Sequence, residues 1–292
     1  MILIQPSTHL SSVEIDSIRA LEFIVKNHDH LEGSIALNSE YNIVSDISLY
    51  YLLYLNQQLV SVLSIFMPKL SEAEISGFTH PDYRNQGYFK RLLAAAKKEL
   101  NRYAPLDLLF VCEYQSMLGL NFIKSLHADY AFSEYSLYYN NFHFAQFDHS
   151  HLNLTIRNAK TEDIDPLVDI YQNTFHIPSE ESKPMVLKTI NSEHKKQIIA
   201  LLDGIIIGTC AVSYRENETY ILGVAIDVPY QNKGYGKSFM IKVIDSLITQ
   251  QISNIMIEVD STNLNAYKLY RHIGFEKRSE FQYYRIKLLN LE

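Results

Sequence analysis

The chain has 292 residues, of which 47% are hydrophobic and 20% are charged, a globular composition long enough for two domains of roughly 150 residues. The net charge of -7 argues against a nucleic-acid partner, because binding to a phosphate backbone needs a basic surface. No stretch approaches the ~20 apolar residues of a membrane span, and the N-terminus lacks the features of a signal peptide. We therefore expect a cytoplasmic protein without a membrane partner, in which Cys112 and Cys210 are buried free thiols.

The first half of the chain is predicted to contain helices and strands in alternation. SSVEIDSIRALEFIVK predicts a helix and ISLYYLLYLNQQLVSVLSIFM a hairpin. The apolar run SEAEISGFT then leads through residues 83–90 into the amphipathic segment FKRLLAAAKKEL and the β-like run LDLLFVCE. SEYSLYYNNFHF is predicted to close this half as a pair of strands. The polar segment 147–154 is the predicted junction, which gives domains 1–148 and 152–292.

The second half gives a clearer pattern. LTIRNA predicts a strand, TEDIDP the start of a helix with acidic residues in its first turn, and SEESKPMVLKTINSE a second helix with Pro184 as a candidate boundary. KQIIALLDGIIIGTCAVSYRENETYILGVAI predicts three strands, joined by Asp203-Gly204 and by residues 215–218. A helix, a strand, a helix and a strand follow. The predicted order is β-α-α-β-β-β-α-β-α-β, an α/β arrangement with a mixed sheet.

One segment of the chain occurs twice. YRNQGYFK at residues 83–90 returns 147 residues later as YQNKGYGK at residues 230–237, with Tyr, Asn, Gly, Tyr and Lys in register. Both copies follow an apolar run, precede an amphipathic helix and lead to a β-like run. A shared strand–turn–helix–strand order over roughly 40 residues is hard to obtain by chance. The chain is therefore predicted to contain two copies of one fold.

The second copy of the repeat lies between a strand and a helix, a location suited to anion binding. The N–H groups of such a turn and of the first helical turn point outward, and the helix dipole favours negative charge. Gly234 and Gly236 let the backbone approach a pyrophosphate, because they carry no Cβ. A turn with two glycines also occurs where no ligand binds, so this motif alone leaves both interpretations open.

Two motifs of the second half resemble those of the GNAT superfamily of acyl-CoA N-acyltransferases. QNKGYG at residues 231–236 is similar to the family's R/Q-x-x-G-x-G/A loop, and residues 263–275 are similar to its N-x-x-A-x-x-L-Y-x-x-x-G-F segment. The resemblance implies two tandem GNAT domains. Each is expected to be an α/β domain whose sheet is mixed, with parallel and antiparallel strands, as in the α+β class. It also implies acetyl-CoA as the cosubstrate and no metal.

The resemblance further implies roles for individual residues. In the family the loop amides hold the pyrophosphate, a bulged strand (here residues 222–226) admits the pantetheine arm, the Asn bonds that arm, and the Tyr protonates the departing thiolate. Tyr270 is thus the expected general acid, with Glu218 or Asp227 as candidates for the general base. Tyr270 can also be a core tyrosine, and Asn263 a helix N-cap. The expected cofactor-binding residues are Val224, Ala225, Ile226, Gln231, Asn232, Lys233, Gly234, Tyr235, Gly236, Lys237, Asn263 and Tyr270.

The first copy of the repeat lacks most of these residues. At the offset of 147, Phe89 takes the place of Gly236, Ser116 that of Asn263 and Ile123 that of Tyr270. The Gly-Phe ending of the second motif is His127-Ala128 here, although Gly87 and Arg84 fit the loop pattern. We expect a degenerate domain that is structural, shapes the substrate site, or binds CoA without turnover.

The predicted function is transfer of an acetyl group from acetyl-CoA to a primary amine of a small molecule or peptide, by direct attack, in a monomer or homodimer. Two other functions remain open, namely a non-catalytic acyl-CoA-binding or interaction module and an aminoacyl-tRNA-dependent transferase of related fold. The presence of both Asn263 and Tyr270 opposes the first. The acidic net charge and the intact loop oppose the second.

Overall fold

The computed structural model describes residues 2–35, 37, 42, 44, 46–103, 106–140, 153–215 and 218–291. The chain divides into two compact units, one formed by Met1–Glu134 with Ser279–Glu292 and the other by Tyr135–Arg278. The predicted domains, 1–148 and 152–292, are continuous stretches, whereas the compact units exchange their terminal strands. Local sequence patterns do not show such an exchange, because the partner of a strand can lie anywhere in the chain. The predicted junction lies almost wholly outside the described residues.

The first unit is a sheet with helices. Its strand order is β1-β2-β3-β4-β5, followed by residues 279–287 of the last strand of the chain, β12 (Phe275–Lys287). All neighbouring pairs in this set are antiparallel except β4 with β5, which is parallel. The other elements are β1 (Ile2–Ser7), α1 (Ser12–Asp29), β2 (Tyr50–Leu55), β3 (Gln58–Lys69), β4 (Glu72–Thr79), α2 (Tyr88–Leu100), β5 (Asp107–Glu113), α3 (Met117–Ser125) and the start of β6 (Asp129–Tyr139).

The second unit has the order that the sequence predicts. Its sheet runs β7-β8-β9-β10-β11 and then β6, with β10 and β11 parallel and the pairs from β7 to β10 antiparallel. The elements are β7 (Leu154–Asn158), α4 (Ile164–Phe175), α5 (Ser179–Ile190), β8 (Lys195–Leu202), β9 (Ile205–Tyr214), β10 (Thr219–Ile226), α6 (Tyr235–Thr249), β11 (Ile255–Asp260) and α7 (Leu264–His272), before β12. The predicted β-α-α-β-β-β-α-β-α-β order is confirmed.

Apolar periodicity explains how these helices pack. In the second unit α6 buries Phe239 and Ile244 in one core cluster, while α4 buries Leu167 against Ile199 of β8 in another. Because successive strand residues point to opposite faces, β8 contributes Ile198 to the first cluster and Ile199 to the second. Helices therefore cover both faces of the sheet, and the ends of the strands are left for a site.

Two details of the secondary structure differ from the sequence predictions, and one prediction lies partly outside the described residues. Pro184 lies inside α5 and does not bound it, because buried Val186 and Thr189 anchor the helix beyond the proline. Of the expected strand pair in SEYSLYYNNFHF, one strand is present up to Tyr139, and residues 141–144 lie outside the described part of the chain. Strand β1 was not predicted, since its exposed residues show no alternation.

Both cysteines are free, and Cys210 is buried as expected, whereas Cys112 is only partly buried. Burial raises the pKa of the Cys112 thiol to about 11, and it raises that of Cys210 further. Both thiols are therefore neutral at physiological pH. Of the helices that the structure describes, none combines the length and apolar character needed to cross a bilayer. The described residues also contain no cluster of three or more His, Cys, Asp or Glu side chains suited to a metal ion.

Candidate functional site

Strand β10 contains a bulge within residues 222–226, where the resemblance implies one. Its pairing with β9 runs to Leu222–Ala211 and resumes at Ala225–Thr209, so two residues of β10 oppose one residue of β9. Pairing with the parallel strand β11 ends at Ile221–Ile257, although both strands continue beyond it. The described pairing between β10 and β11 therefore stops just before the bulge, and the carboxyl-terminal residues of the two strands are not paired with each other.

The bulge depends on Gly223, which has a φ of +57° and is exposed. Because a Cβ disfavours this left-handed conformation, we expect Gly223→Ala to lower the free energy of unfolding by about 1–2 kcal/mol. A clash would not explain such a loss, since the nearest atom to the new Cβ is 3.4 Å away. Urea denaturation measures the change. An unchanged midpoint and slope would show that the bulge does not require this backbone conformation.

The loop after β10 turns its backbone amides outward at the start of α6. Gly234 is the N-cap residue, has a φ of +85° and makes no side-chain capping bond. The first N–H groups of an α-helix have no acceptor within the helix, so those of Tyr235, Gly236 and Lys237 are available to an anion. A Cβ on Gly236 would make ordinary van der Waals contacts with Ile226 and with Leu269, each 3.7 Å away.

The side chains of the loop mostly support its shape. Gln231 donates from Nε2 to the carbonyl oxygen of Ile226 at 2.8 Å, and Lys233 donates from Nζ to Pro229 O at 2.8 Å. The Nζ of Lys237 lies 3.1 Å from His272 Nε2 on α7. Of the predicted cofactor-binding residues in the loop, Gln231 thus joins the loop to the strand end, while the lysines add positive charge beside the free amides.

Asn263 and Tyr270 lie at the two ends of α7. Asn263 is the N-cap residue, and its Oδ1 accepts a hydrogen bond from the Ala266 amide at 3.1 Å, which leaves its Nδ2 hydrogens for a ligand. Tyr270 is 6% exposed, and its ring centroid is 6.0 Å from that of Phe275. Burial raises the pKa of the Tyr270 phenol, so it keeps its proton throughout the physiological range.

The two candidates for the general base have other partners. Glu218 accepts from Arg278 Nη1 at 2.5 Å and from the Tyr220 hydroxyl at 2.9 Å. It precedes β10 by one residue and lies six residues before Val224, about 20 Å along an extended strand. The structure therefore does not bring Glu218 to the bulge. Asp227 lies at the carboxyl end of β10, where its Oδ1 accepts from the Val228 amide at 2.9 Å.

A buried polar cluster beside the bulge was not predicted from the sequence. Gln197 of β8, 3% exposed, donates from Nε2 to the Tyr171 hydroxyl at 3.1 Å and to Thr209 Oγ1 at 2.7 Å. The Tyr171 hydroxyl lies 3.4 Å from the position that a Cβ on Gly223 would take. The available signal was the presence of Gln197 and Thr209 in otherwise apolar strand segments, KQIIALL and IIIGTCAV.

The first unit repeats the fold, but it lacks the bulge and has an aromatic ring next to its loop. Strands β3 and β4 pair without interruption from Ser61–Thr79 to Phe66–Glu74, which is the stretch equivalent to the bulge. The ring of Phe89, the counterpart of Gly236, packs edge-on against Phe122 with centroids 5.2 Å apart. That ring also lies so close to Gly77 that a Cβ there would be 2.7 Å from Phe89 Cε2.

Arg84, at the first position of the first loop motif, is held by protein groups. Its guanidinium donates to both carboxylate oxygens of Asp29, at 2.6 and 3.0 Å, and its Nε donates to Thr79 O at 3.1 Å. The bond to Thr79 is the counterpart of the bond from Gln231 to Ile226 in the second unit. The first position of the motif therefore has the same structural role in both units.

Comparisons with known proteins agree with this geometry. Residues 164–275 match the model of the acetyltransferase (GNAT) family. A ribosomal protein bS18-alanine N-acetyltransferase from Haemophilus ducreyi is 33% identical over 61 residues, which are 21% of this chain and 42% of the relative. The chain spans less than half the length of the curated relatives it matches.

Two solved structures are similar over nearly the whole chain. A GCN5-related N-acetyltransferase from Sphaerobacter thermophilus superposes with a TM-score of 0.79 at 14% identity, over 98% of this chain and 96% of the other. A tandem GNAT protein from the clavulanic acid biosynthesis pathway has a TM-score of 0.73 at 11% identity, over 99% of both chains. Residues 164–275 thus match the acetyltransferase (GNAT) family, and the chain shares its fold with a tandem GNAT protein.

Proposed function

We propose that the second unit binds acetyl-CoA between β10 and β11 and transfers its acetyl group to a primary amine of a small molecule or peptide. The observation that carries the proposal is the protonated, buried Tyr270 near the bulge. The neighbouring Leu269 and Ile226 of β10 both lie 3.7 Å from the position of a Cβ on Gly236, and Tyr270 shares a core cluster with Ile226, so this turn of α7 lies beside the loop and the end of β10. A proton donor beside an anion-binding loop suits the expulsion of a thiolate.

The chemistry needs no covalent enzyme intermediate. The amine nitrogen attacks the thioester carbonyl carbon, a C–N bond forms and the C–S bond breaks. Tyr270 gives its proton to the sulfur, and the amine releases one to solvent or to a base, for which Asp227 is better placed than Glu218. The amides of the loop hold the pyrophosphate, and the rate comes from positioning and from the proton donor.

The known relatives support both classes of acceptor. One is named for acetylating an alanine of a ribosomal protein, and the tandem GNAT protein belongs to a small-molecule pathway. The predicted cytoplasmic location is supported by the two free thiols, and the prediction of a monomer or homodimer stays untested.

Release of free CoA in the presence of different amines tests the proposal. The purified chain is incubated with acetyl-CoA and with amino acids, peptides with free N-termini, polyamines or amino sugars, and the thiol is measured. We expect amine-dependent release with at least one class and an acetylated product by mass spectrometry. Saturable binding of acetyl-CoA without release for any amine would favour the non-catalytic binding module.

Asn263→Asp separates the two roles of the side chain at this position. The aspartate keeps an oxygen that caps α7 but loses the N–H donors, so we expect acetyl-CoA to bind about 10-fold more weakly while the melting temperature stays the same. Titration calorimetry and thermal unfolding measure the two effects. Unchanged affinity would restrict Asn263 to capping.

A further inference from the structure

The hydrogen bonds of the polar cluster next to the bulge have defined donors and acceptors. The two hydrogens of Gln197 Nε2 go to the Tyr171 hydroxyl and to Thr209 Oγ1, and Thr209 gives its own hydrogen to Ile198 O at 2.9 Å. The Tyr171 oxygen therefore accepts within this chain. Thr209 Oγ1 lies near this hydroxyl and keeps a second lone pair, so the Tyr171 hydrogen can point to Thr209 or, when a ligand is bound, to an oxygen of the ligand.

The position of Tyr171 is fixed by packing. The residue is 3% exposed on α4, and its ring stacks on that of Phe175 with centroids 5.8 Å apart. Burial raises the pKa of the phenol to about 12, so it is a hydrogen-bond donor at physiological pH and not a base.

Gly223 is the residue of the bulge that lies next to the Tyr171 hydroxyl. Gly223 has no Cβ, and the position that a Cβ would take lies 3.4 Å from the Tyr171 oxygen, so a ligand atom about 0.5 Å closer would reach hydrogen-bond distance. Gly223 is exposed, and the three atoms nearest this position all belong to Tyr171.

We propose that Tyr171 is a second catalytic residue, whose hydroxyl donates a hydrogen bond to the carbonyl oxygen of the bound thioester. The inference rests on the proposed function, since it requires an acyl-CoA at the bulge. As the amine attacks, the carbonyl π electrons move to this oxygen, and they return when the C–S bond breaks. Tyr171 keeps its proton throughout, while Tyr270 supplies the one that the sulfur takes.

The polarity of the cluster suits an oxygen that becomes negative. Donation from Gln197 to the Tyr171 oxygen strengthens the bond that the same phenol donates, because hydrogen bonds in a chain polarise one another. A donor fixed in a buried site stabilises developing charge without reorganisation, and removal of one such donor costs roughly 100-fold in rate.

Infrared difference spectra of bound acetyl-CoA, taken with a ¹²C or a ¹³C carbonyl, test the assignment without an identified acceptor. In the wild type we expect the thioester C=O band to lie below that of free acetyl-CoA. In Tyr171→Phe it should move back toward the free value, with about 100-fold slower enzyme-catalysed hydrolysis of acetyl-CoA. Gln197→Leu keeps the phenol but removes its partner and should give an intermediate band.

Tyr139→Phe is the matched control, since it removes a hydroxyl from another buried tyrosine of the same unit, 4% exposed. Its band should equal that of the wild type. A Tyr171→Phe band that stays at the wild-type position overturns the assignment, even where the variant is less stable. A wild type that binds acetyl-CoA with an unshifted band overturns this inference alone, whereas a wild type that binds no acetyl-CoA overturns the proposed function as well.

Discussion

Replacing Tyr270 by phenylalanine is expected to lower kcat for acyl transfer by about 100-fold and to leave the Kd for acetyl-CoA nearly unchanged. The ring and its packing against Phe275 remain, so the variant loses only the proton that the thiolate needs. Steady-state kinetics with any active amine, together with calorimetric titration of acetyl-CoA, measures the two quantities.

The pH dependence of kcat is a second test of the role of Tyr270. Because burial raises the pKa of Tyr270 above its ordinary value of 10, the acid form persists through pH 9, and Tyr270 should cause no loss of kcat below pH 10. Tyr267→Phe, on the same helix but packed against Tyr135, is the control and should behave like the wild type. A Tyr270→Phe variant with wild-type kcat would assign this residue to the core alone.

Introducing the bulky residue of the first loop into the second should abolish cofactor binding. In Gly236→Phe the Cβ fits, since its nearest neighbours are 3.7 Å away, but the ring must enter the space beside the loop, as the ring of Phe89 does in the first unit. We expect the affinity for acetyl-CoA to fall by at least about 100-fold with the fold retained. Calorimetry and circular dichroism check the two parts.

Gly236→Ala is the matched control for that substitution. Its methyl group makes only ordinary contacts with Ile226 and Leu269, and alanine is the better helix former, so binding should stay close to the wild-type value and stability should rise slightly. Equal losses of affinity in both variants would mean that the loop requires glycine itself at this position, and not merely the absence of a large ring.

The second unit could be predicted from the sequence in unusual detail, because its signals are local. Strand and helix periods gave all ten elements of the order, and the motif around Asn263 and Tyr270 gave the position of α7. The exchange of terminal strands between the units could not be predicted, since the pairing of β5 with β12 joins residues about 170 positions apart. Strand periodicity does not encode such a partner.

The site was predicted less completely than the fold. The loop and the bulge follow from a contiguous motif, whereas the cluster of Tyr171, Gln197 and Thr209 comes from three separate elements and forms only on folding. Glu218 was a candidate because of its place before β10, yet its contact with Arg278 became visible only in three dimensions. The sequence showed that Phe89 takes the place of Gly236 in the first unit, but its contacts with Phe122 and Gly77 became visible only in the structure.

The number of acetyl-CoA molecules bound per chain tests the central claim most directly, namely that only the second unit carries an acyl-CoA site. Calorimetric titration of the wild type should give one site, and Gly236→Phe should give none. Two sites in the wild type, or one site that survives in Gly236→Phe, would contradict the account, because the cofactor would then bind in the first unit, where Phe89 fills the space beside the loop.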